Sequence, residues 1–231
     1  MINWQIYWDN LARNSANLQT QVARIKDRQP LPEAQTRRIA GYIAQQLDLQ
    51  PGHSLLDVCC GNGTLTRLLA ENSLTVRGVD ISPEQINQAN IHSSAPNISY
   101  QVADATQLTS QVQEKFDRIN LYFSFQYLDS YKKGRAAIRE MATLLKPGGK
   151  ILIGDVPDHA KLSVFFPSQM ARFRYRISHF LGRHPMGKFW KEAEIQKICW
   201  EVGLTCEKRT QPGDLPYAAY RVDYVMNLEA K

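Results

Sequence analysis

One stretch constrains this chain more than any other: LLDVCCGNGTLT, residues 55–66. An apolar run reaches an acid, passes through two cysteines and Gly-Asn-Gly, and restarts as a helix. A buried strand that breaks into a turn of small residues and reopens as a helix usually holds a ligand at its carboxyl end. Glycines in such a turn let the backbone approach that ligand closely.

The same alternation continues downstream. Residues 33–49 place Ile39, Ile43 and Leu47 on one helical face, with Tyr42 beside them. SLLDVCC, LTVRGVDI, ISYQVADA, FDRINLYFS and KILIGDV read as buried strands, with TLTRLLAEN, SPEQINQANIHS and residues 131–145 as helices among them. Ser82 is a helix cap, Pro83 suits the first helical position, and Gln85 completes a capping box. KPGG is a strong helix stop. KEAEIQKICWEVG predicts a helix ending at Gly203, followed by two strands, LTCEKRTQ and YRVDYVMNL, with no helix between them. Near-continuous apolar strands alternating with helices predict a parallel sheet covered on both faces, with the last strands antiparallel.

In such a sheet the ligand lies beyond the carboxyl ends of the strands. Asp57, Gly61 and Gly63 end the first strand. Asp80 ends the second, about 20 positions later, the offset at which an acid reaches ribose hydroxyls. The dinucleotide fingerprint needs a third glycine, but position 66 is Thr66, which weakens a pyrophosphate reading. GRHPMGKF (182–189) has the glycine-lysine spacing of a phosphate loop, yet Phe189 replaces the hydroxyl residue and no strand precedes it.

The ordered motifs LLDVCCGNGTLT, VRGVDIS, VADATQL, FDRINLYFSFQYL and LLKPGGKILIGDV together resemble the class I S-adenosylmethionine-dependent methyltransferases. The resemblance covers roughly residues 35–230. It implies a Rossmann-like, doubly wound α/β fold: a seven-stranded, mostly parallel sheet with an antiparallel last strand, helices on both faces and a small helical lid. It implies S-adenosylmethionine as cofactor, S-adenosylhomocysteine as product, and no metal. Carried over by position, Gly61 and Gly63 pack against the methionine and ribose portion. Asp57 orients the loop or bonds the cofactor's amino group. Asp80 accepts from the ribose, with Ile81 on the adenine and Gln85 just beyond. Asp104 and Ala105 meet the adenine amino group, and Leu121 and Tyr122 face the methionine portion. Cys59 departs from the family loop, which has glycine at that position.

Methyl transfer needs an aligned acceptor, exclusion of water and, for a hydroxyl, often a base. Tyr7 and Trp8, in the aromatic stripe Trp4, Tyr7, Trp8 and Leu11, form either a lid over the cofactor or a helix packed on the body. Phe125 and Tyr127 are candidates for the acceptor pocket. Residues 157–190 read as an insertion: Phe166, Met170, Phe173, Ile177 and Phe180 make one helical stripe, expected to pack down. Arg172 and Arg176 share a face that is expected to meet an anionic acceptor. His159 or Tyr127 is the candidate base.

The expectation is therefore one domain, 1–231, with lid segments at 1–30 and 157–190. It transfers methyl to a small-molecule acceptor, by O- or N-methylation of a natural product or sugar-like metabolite. The net charge of +6 keeps an RNA or protein methyltransferase as the alternative. Cys59 keeps a non-catalytic cofactor-binding protein as a lesser one. MINWQIYWDN has no basic region leading into an apolar core, and no apolar run is long enough to span a membrane. The four cysteines make no disulfide framework, so the expected setting is the cytoplasm.

Overall fold

The computed structural model describes residues 2–71 and 75–228. The parts of the expected helix and strand that fall on 72–74 lie outside the described residues. In chain order the elements are α1 (Trp4–Arg13), α2 (Leu18–Gln21), the ribbon strands β1 (Ile25–Lys26) and β2 (Gln29–Pro30), α3 (Glu33–Leu47), β3 (Ser54–Val58), α4 (Thr64–Ala70), β4 (Thr75–Asp80), α5 (Pro83–His92), β5 (Ile98–Val102), β6 (Phe116–Tyr122), α6 (Tyr131–Thr143), β7 (Leu145–Pro157), α7 (Leu162–Phe165), α8 (Gln169–Phe180), α9 (Glu192–Val202), β8 (Leu204–Thr210) and β9 (Arg221–Leu228).

A 7-stranded sheet has the order β5-β4-β3-β6-β7-β9-β8. Strands β3 to β7 run parallel, and β9 is antiparallel to both β7 and β8. The chain winds outward from β3 to β5 and then returns to lay β6 on the other side of β3. This reversal opens a crevice at the carboxyl ends of β3 and β6.

Alternation along each strand feeds two cores. Leu55 and Leu152 pack with Ile39, Ile43 and Leu47 of α3, whereas Leu56, Ile151 and Ile153 pack with Ile138 of α6 and Ile198 of α9. These side chains are fully buried, each contributing about 1.5–3 kcal/mol of apolar transfer.

Three local expectations need correction. The KPGG turn does not separate α6 from the strand. It bulges out of β7, where pairing jumps from Phe116↔Leu145 to Arg118↔Lys150. The capping box at α5 is half made: Ser82 accepts from the Gln85 amide, but the Gln85 side chain turns away to the carbonyl of Gln21 at 2.6 Å. The stripe at 166–180 is broken before Ser168, which caps α8, and it does not pack down. Met170, Phe173, Ile177 and Phe180 are exposed, while Tyr175 is the buried residue of α8.

Candidate active site

A cavity of about 500 Å³ occupies the crevice. Its floor is the loop after β3. Cys59 stands there at φ 58 and Gly61 at φ 57, both left-handed. The Gly61 amide donates to Asp80 Oδ2 at 2.9 Å, and the Ser82 amide donates to Asp80 Oδ1 at 2.9 Å. Two backbone donors thus aim one carboxylate along the cavity wall, and each oxygen keeps a further lone pair. Burial pushes the Asp80 carboxyl up to about 6, against the pull of those two amides. A Cβ on Gly61 would lie 2.7 Å from Val22 Cγ1, so that glycine admits the segment after α2 as well as a ligand.

Of the residues expected at the cofactor, Tyr7, Trp8, Cys59, Gly61, Asp80, Ile81, Gln85, Asp104, Ala105 and Tyr122 all line this cavity. Asp57, Gly63 and Leu121 do not. Asp57 lies behind the floor, accepting from Thr66 at 2.5 Å and from Asn120 at 2.7 Å, and so ties β3 to α4 and β6. Gly63 starts α4 at φ 72, where a Cβ would lie 2.4 Å from Tyr100 Oη; it serves packing. Leu121 points into the core, since alternation gives the wall to Tyr122.

The roof is aromatic. Trp4 and Trp8 of α1 pack on Tyr127 at centroid distances of 4.5 and 5.1 Å. Asp9 of the same helix accepts from Ser82 and from the Glu84 amide, which pins α1 to the start of α5. Burial pushes the Tyr127 hydroxyl up to about 12. Tyr127 is therefore a neutral wall and donor, poorly suited as a base at neutral pH.

The other acceptor-side expectations fail on position. Phe125 is fully buried and stacks on Trp190 at 4.6 Å, because the turn after β6 directs it into the core. Arg172 spends its guanidinium on the carbonyls of Phe166 and Pro167. Neither it nor Arg176 lines the cavity, because α8 presents that side elsewhere. His159 also lies off the wall; its charged neighbours include Lys191, Arg176 and Glu194.

Two arginines escaped the sequence reading. Arg24 lies between α2 and α3 and lines the cavity near Asp57 and Cys60, 5.2 Å from the Phe123 ring. Its Nε and Nη1 are buried with no partner among the described residues, and burial lowers its pKa to about 10. Arg221 also lines the cavity. It donates to the Asp155 carbonyl at 2.7 Å, pairs with the Asp155 carboxylate at 2.8 Å, and lies over the rings of Tyr217 and Tyr220 at 5.3 and 5.2 Å. Its Nε is buried without a hydrogen-bond partner among the described residues. Neither arginine belongs to a periodic pattern. Only the aromatic spacing of PYAAYR hinted at the second.

A glycine-bearing loop, an acid at the next strand end and a crevice at the sheet's reversal define a Rossmann-like nucleoside-binding site. Residues 55–149 match the family described as "Methyltransferase domain". The ubiquinone biosynthesis O-methyltransferase of Xanthomonas euvesicatoria is 30% identical over 171 residues, which is 72% of this chain and 68% of that protein. Its counterpart from Coxiella burnetii is 33% identical over 165 residues, 71% of this chain and 68% of that one. Magnesium protoporphyrin IX methyltransferase from Synechocystis, solved with S-adenosylhomocysteine bound, shares the fold. Its TM-score is 0.65 at 16% identity, over 98% of this chain and 95% of that chain. The chain belongs to the class I S-adenosylmethionine-dependent methyltransferases. It is an enzyme that takes S-adenosylmethionine as cofactor and a small molecule as methyl acceptor.

The wall fits that cofactor chemically. Asp80 retains acceptor lone pairs suited to hydroxyls. Gln85 Oε1 is buried without a donor among the described residues, and the Arg24 guanidinium is a buried cation suited to a carboxylate.

Proposed function

We propose that the enzyme methylates a hydroxyl oxygen on an aromatic, acidic small molecule. The carrying observation is Arg221, a buried cation that lines the cavity between Tyr217 and Tyr220 and whose Nε has no hydrogen-bond partner among the described residues. The names of the O-methyltransferase relatives support the choice of oxygen over nitrogen.

In this reading Asp80 holds the ribose hydroxyls and Arg24 the carboxylate of the cofactor's methionine tail. Cys59 and Gly61 keep the floor low, and Ile81, Gln85, Asp104 and Ala105 surround the base. When bound, the cofactor supplies an electrophilic methyl group on a sulfonium. Arg221 favours the ionised form of an acceptor hydroxyl within its reach, since a neighbouring cation stabilises the anion. Asp155 keeps Arg221 oriented. Phe123, Tyr127 and Tyr220 clamp a flat ring and keep water away. The first thirty residues, through Trp4, Tyr7 and Trp8, and the 157–190 segment, through Phe165 and Met186, close over the cavity as lid segments of one domain. The free cysteines support a reducing, cytoplasmic setting.

The test is transfer of labelled methyl to a panel of catechols, hydroxybenzoates and matched anilines. Hydroxyl acceptors should be labelled, acidic ones best. Arg221→Lys should raise KM for acidic acceptors about tenfold or more while cofactor affinity holds, because Lys keeps the charge but loses the planar fork. Labelling of the anilines alone would contradict the proposal.

A further inference from the structure

The face of α8 turned to solvent is the one large feature that the active site leaves unexplained. Met170 is 59% exposed, Phe173 58%, Ile177 46%, Phe180 89% and Leu181 48%. Their spacing puts all five on one helical stripe. Arg174 and Arg176 fall on its opposite borders. Exposed apolar patches of this kind mark contact surfaces.

Within the segment that carries the stripe the charge has one sign, although Asp129 and Glu194 of neighbouring elements face His179 and Glu194 pairs with Lys188. From residue 159 to residue 191 the sequence contains no Asp or Glu, while Lys161, Arg172, Arg174, Arg176, Arg183, Lys188 and Lys191 are all basic. Arg174, Arg176 and Arg183 form no ion pair among the described residues. None of the described helices is long and apolar enough to cross a membrane. An in-plane amphipathic helix with an apolar face and arginine borders is the arrangement that beds into the headgroup layer of an anionic bilayer.

The position of α8 gives such contact a consequence. Pro185 and Met186, just beyond the helix, line the cavity. The Ile2 amide donates to the Gly182 carbonyl at 2.9 Å, which sets α1, bearing exposed Ile6, beside the end of α8. The patch therefore adjoins the segments that roof the active site.

We infer that α8 docks this enzyme peripherally on a membrane rich in anionic lipid, beside the entrance to its cavity. Apolar side chains enter the interface and the flanking arginines meet phosphate headgroups. An acceptor dissolved in the lipid then reaches the cavity without crossing bulk water.

Flotation of the full chain with phosphatidylcholine vesicles, with and without phosphatidylglycerol, tests this. The protein should float with the anionic vesicles and much less with the neutral ones. The pair Arg174→Gln, Arg176→Gln should weaken anionic binding about fivefold per arginine at moderate salt. The pair Phe173→Ser, Phe180→Ser should weaken it at least tenfold. Because all four positions are exposed, the melting temperature should hold, which separates lost docking from lost folding. Wild-type protein that stays with the bulk phase would overturn the inference. So would variants that float as well as wild type, or a wild-type dimer that the phenylalanine pair converts to monomer.

Discussion

The cavity has two halves, built in different ways. In the proposed reading the donor half comes mainly from short pieces at strand ends, residues 59–61 after β3, Asp80 and Ile81 at the end of β4, and Asp104 and Ala105 after β5, with Arg24 the one part brought in from the segment after α2. Each of these strand-end side chains is set by its strand, and Asp80 is aimed by two backbone amides, that of Ser82 just beyond it and that of Gly61 in the adjacent loop after β3. The acceptor half is gathered from chain-distant parts: Trp4 and Trp8 on α1, Tyr127 after β6, Met186 after α8, and Tyr217, Tyr220 and Arg221 before and within β9. A site built on strand ends reads out locally, whereas a site built from lids depends on how whole segments dock.

The largest test of this contrast is structural. Gly63→Ala puts a Cβ into Tyr100 at a left-handed φ, combining overpacking with backbone strain. It should cost about 2–4 kcal/mol of stability in denaturant unfolding. Because Gly63 is off the wall, the folded fraction should still bind cofactor normally. A variant of unchanged stability would mean that α4 sits differently against β5.

Next in size is Asp80→Ala, which leaves ribose hydroxyls without an acceptor and should weaken cofactor binding by about 1.5–3 kcal/mol. The same residue sets a pH dependence. Burial raises the Asp80 carboxyl to about 6, above its unfolded value, so the empty fold favours the protonated form. Its contribution to stability is full below the unfolded pKa and is lost as pH rises through about 6. Hydroxyl donors favour the carboxylate, so cofactor affinity should fall as pH drops below about 6, with proton release on binding near that pH. An affinity flat from pH 5 to 8, measured by calorimetry, would remove Asp80 from the ribose.

A smaller effect is expected at the unusual cysteine. Cys59 occupies a left-handed conformation that costs about 1–2 kcal/mol for a side-chain-bearing residue, partly offset by the entropy that glycine loses on folding. Cys59→Gly should raise stability by about 0.5–1 kcal/mol and keep cofactor affinity. Destabilisation would show that the thiol packs better than its backbone suggests. The smallest effect belongs to the acceptor half. With a water-soluble acceptor and no lipid present, Arg172→Ala with Arg176→Ala should leave KM for the acceptor unchanged, since neither lines the cavity. A raised KM would return α8 to the pocket.

The same contrast explains what the sequence revealed. Apolar strands at regular intervals predict the sheet, because burial on both faces leaves no polar alternation. The floor residues 59–61, Asp80 and Asp104 were legible for the same reason: they occupy fixed offsets from those strands. Phe125 misled because side-chain direction after β6 depends on the backbone, which reaches φ 71 at Phe123, and Leu121 misled because strand alternation turns it to the core and gives the wall to Tyr122. Arg172, Arg176 and the stripe beside them misled because an amphipathic pattern shows that two faces differ, not which one meets the protein. Arg24 and Arg221 gave no periodic signal; a buried cation is recognised only when its unpaired donors are seen.

The division of labour between the halves rests on Arg24 holding the donor's carboxylate. Calorimetry with S-adenosylhomocysteine and with methylthioadenosine, which lacks the amino-acid tail, tests it in wild type and Arg24→Gln. A loss of about 2–4 kcal/mol is expected for S-adenosylhomocysteine and almost none for methylthioadenosine, since the guanidinium and the carboxylate act as one pair. Equal losses for both ligands, or no loss for either, would contradict it.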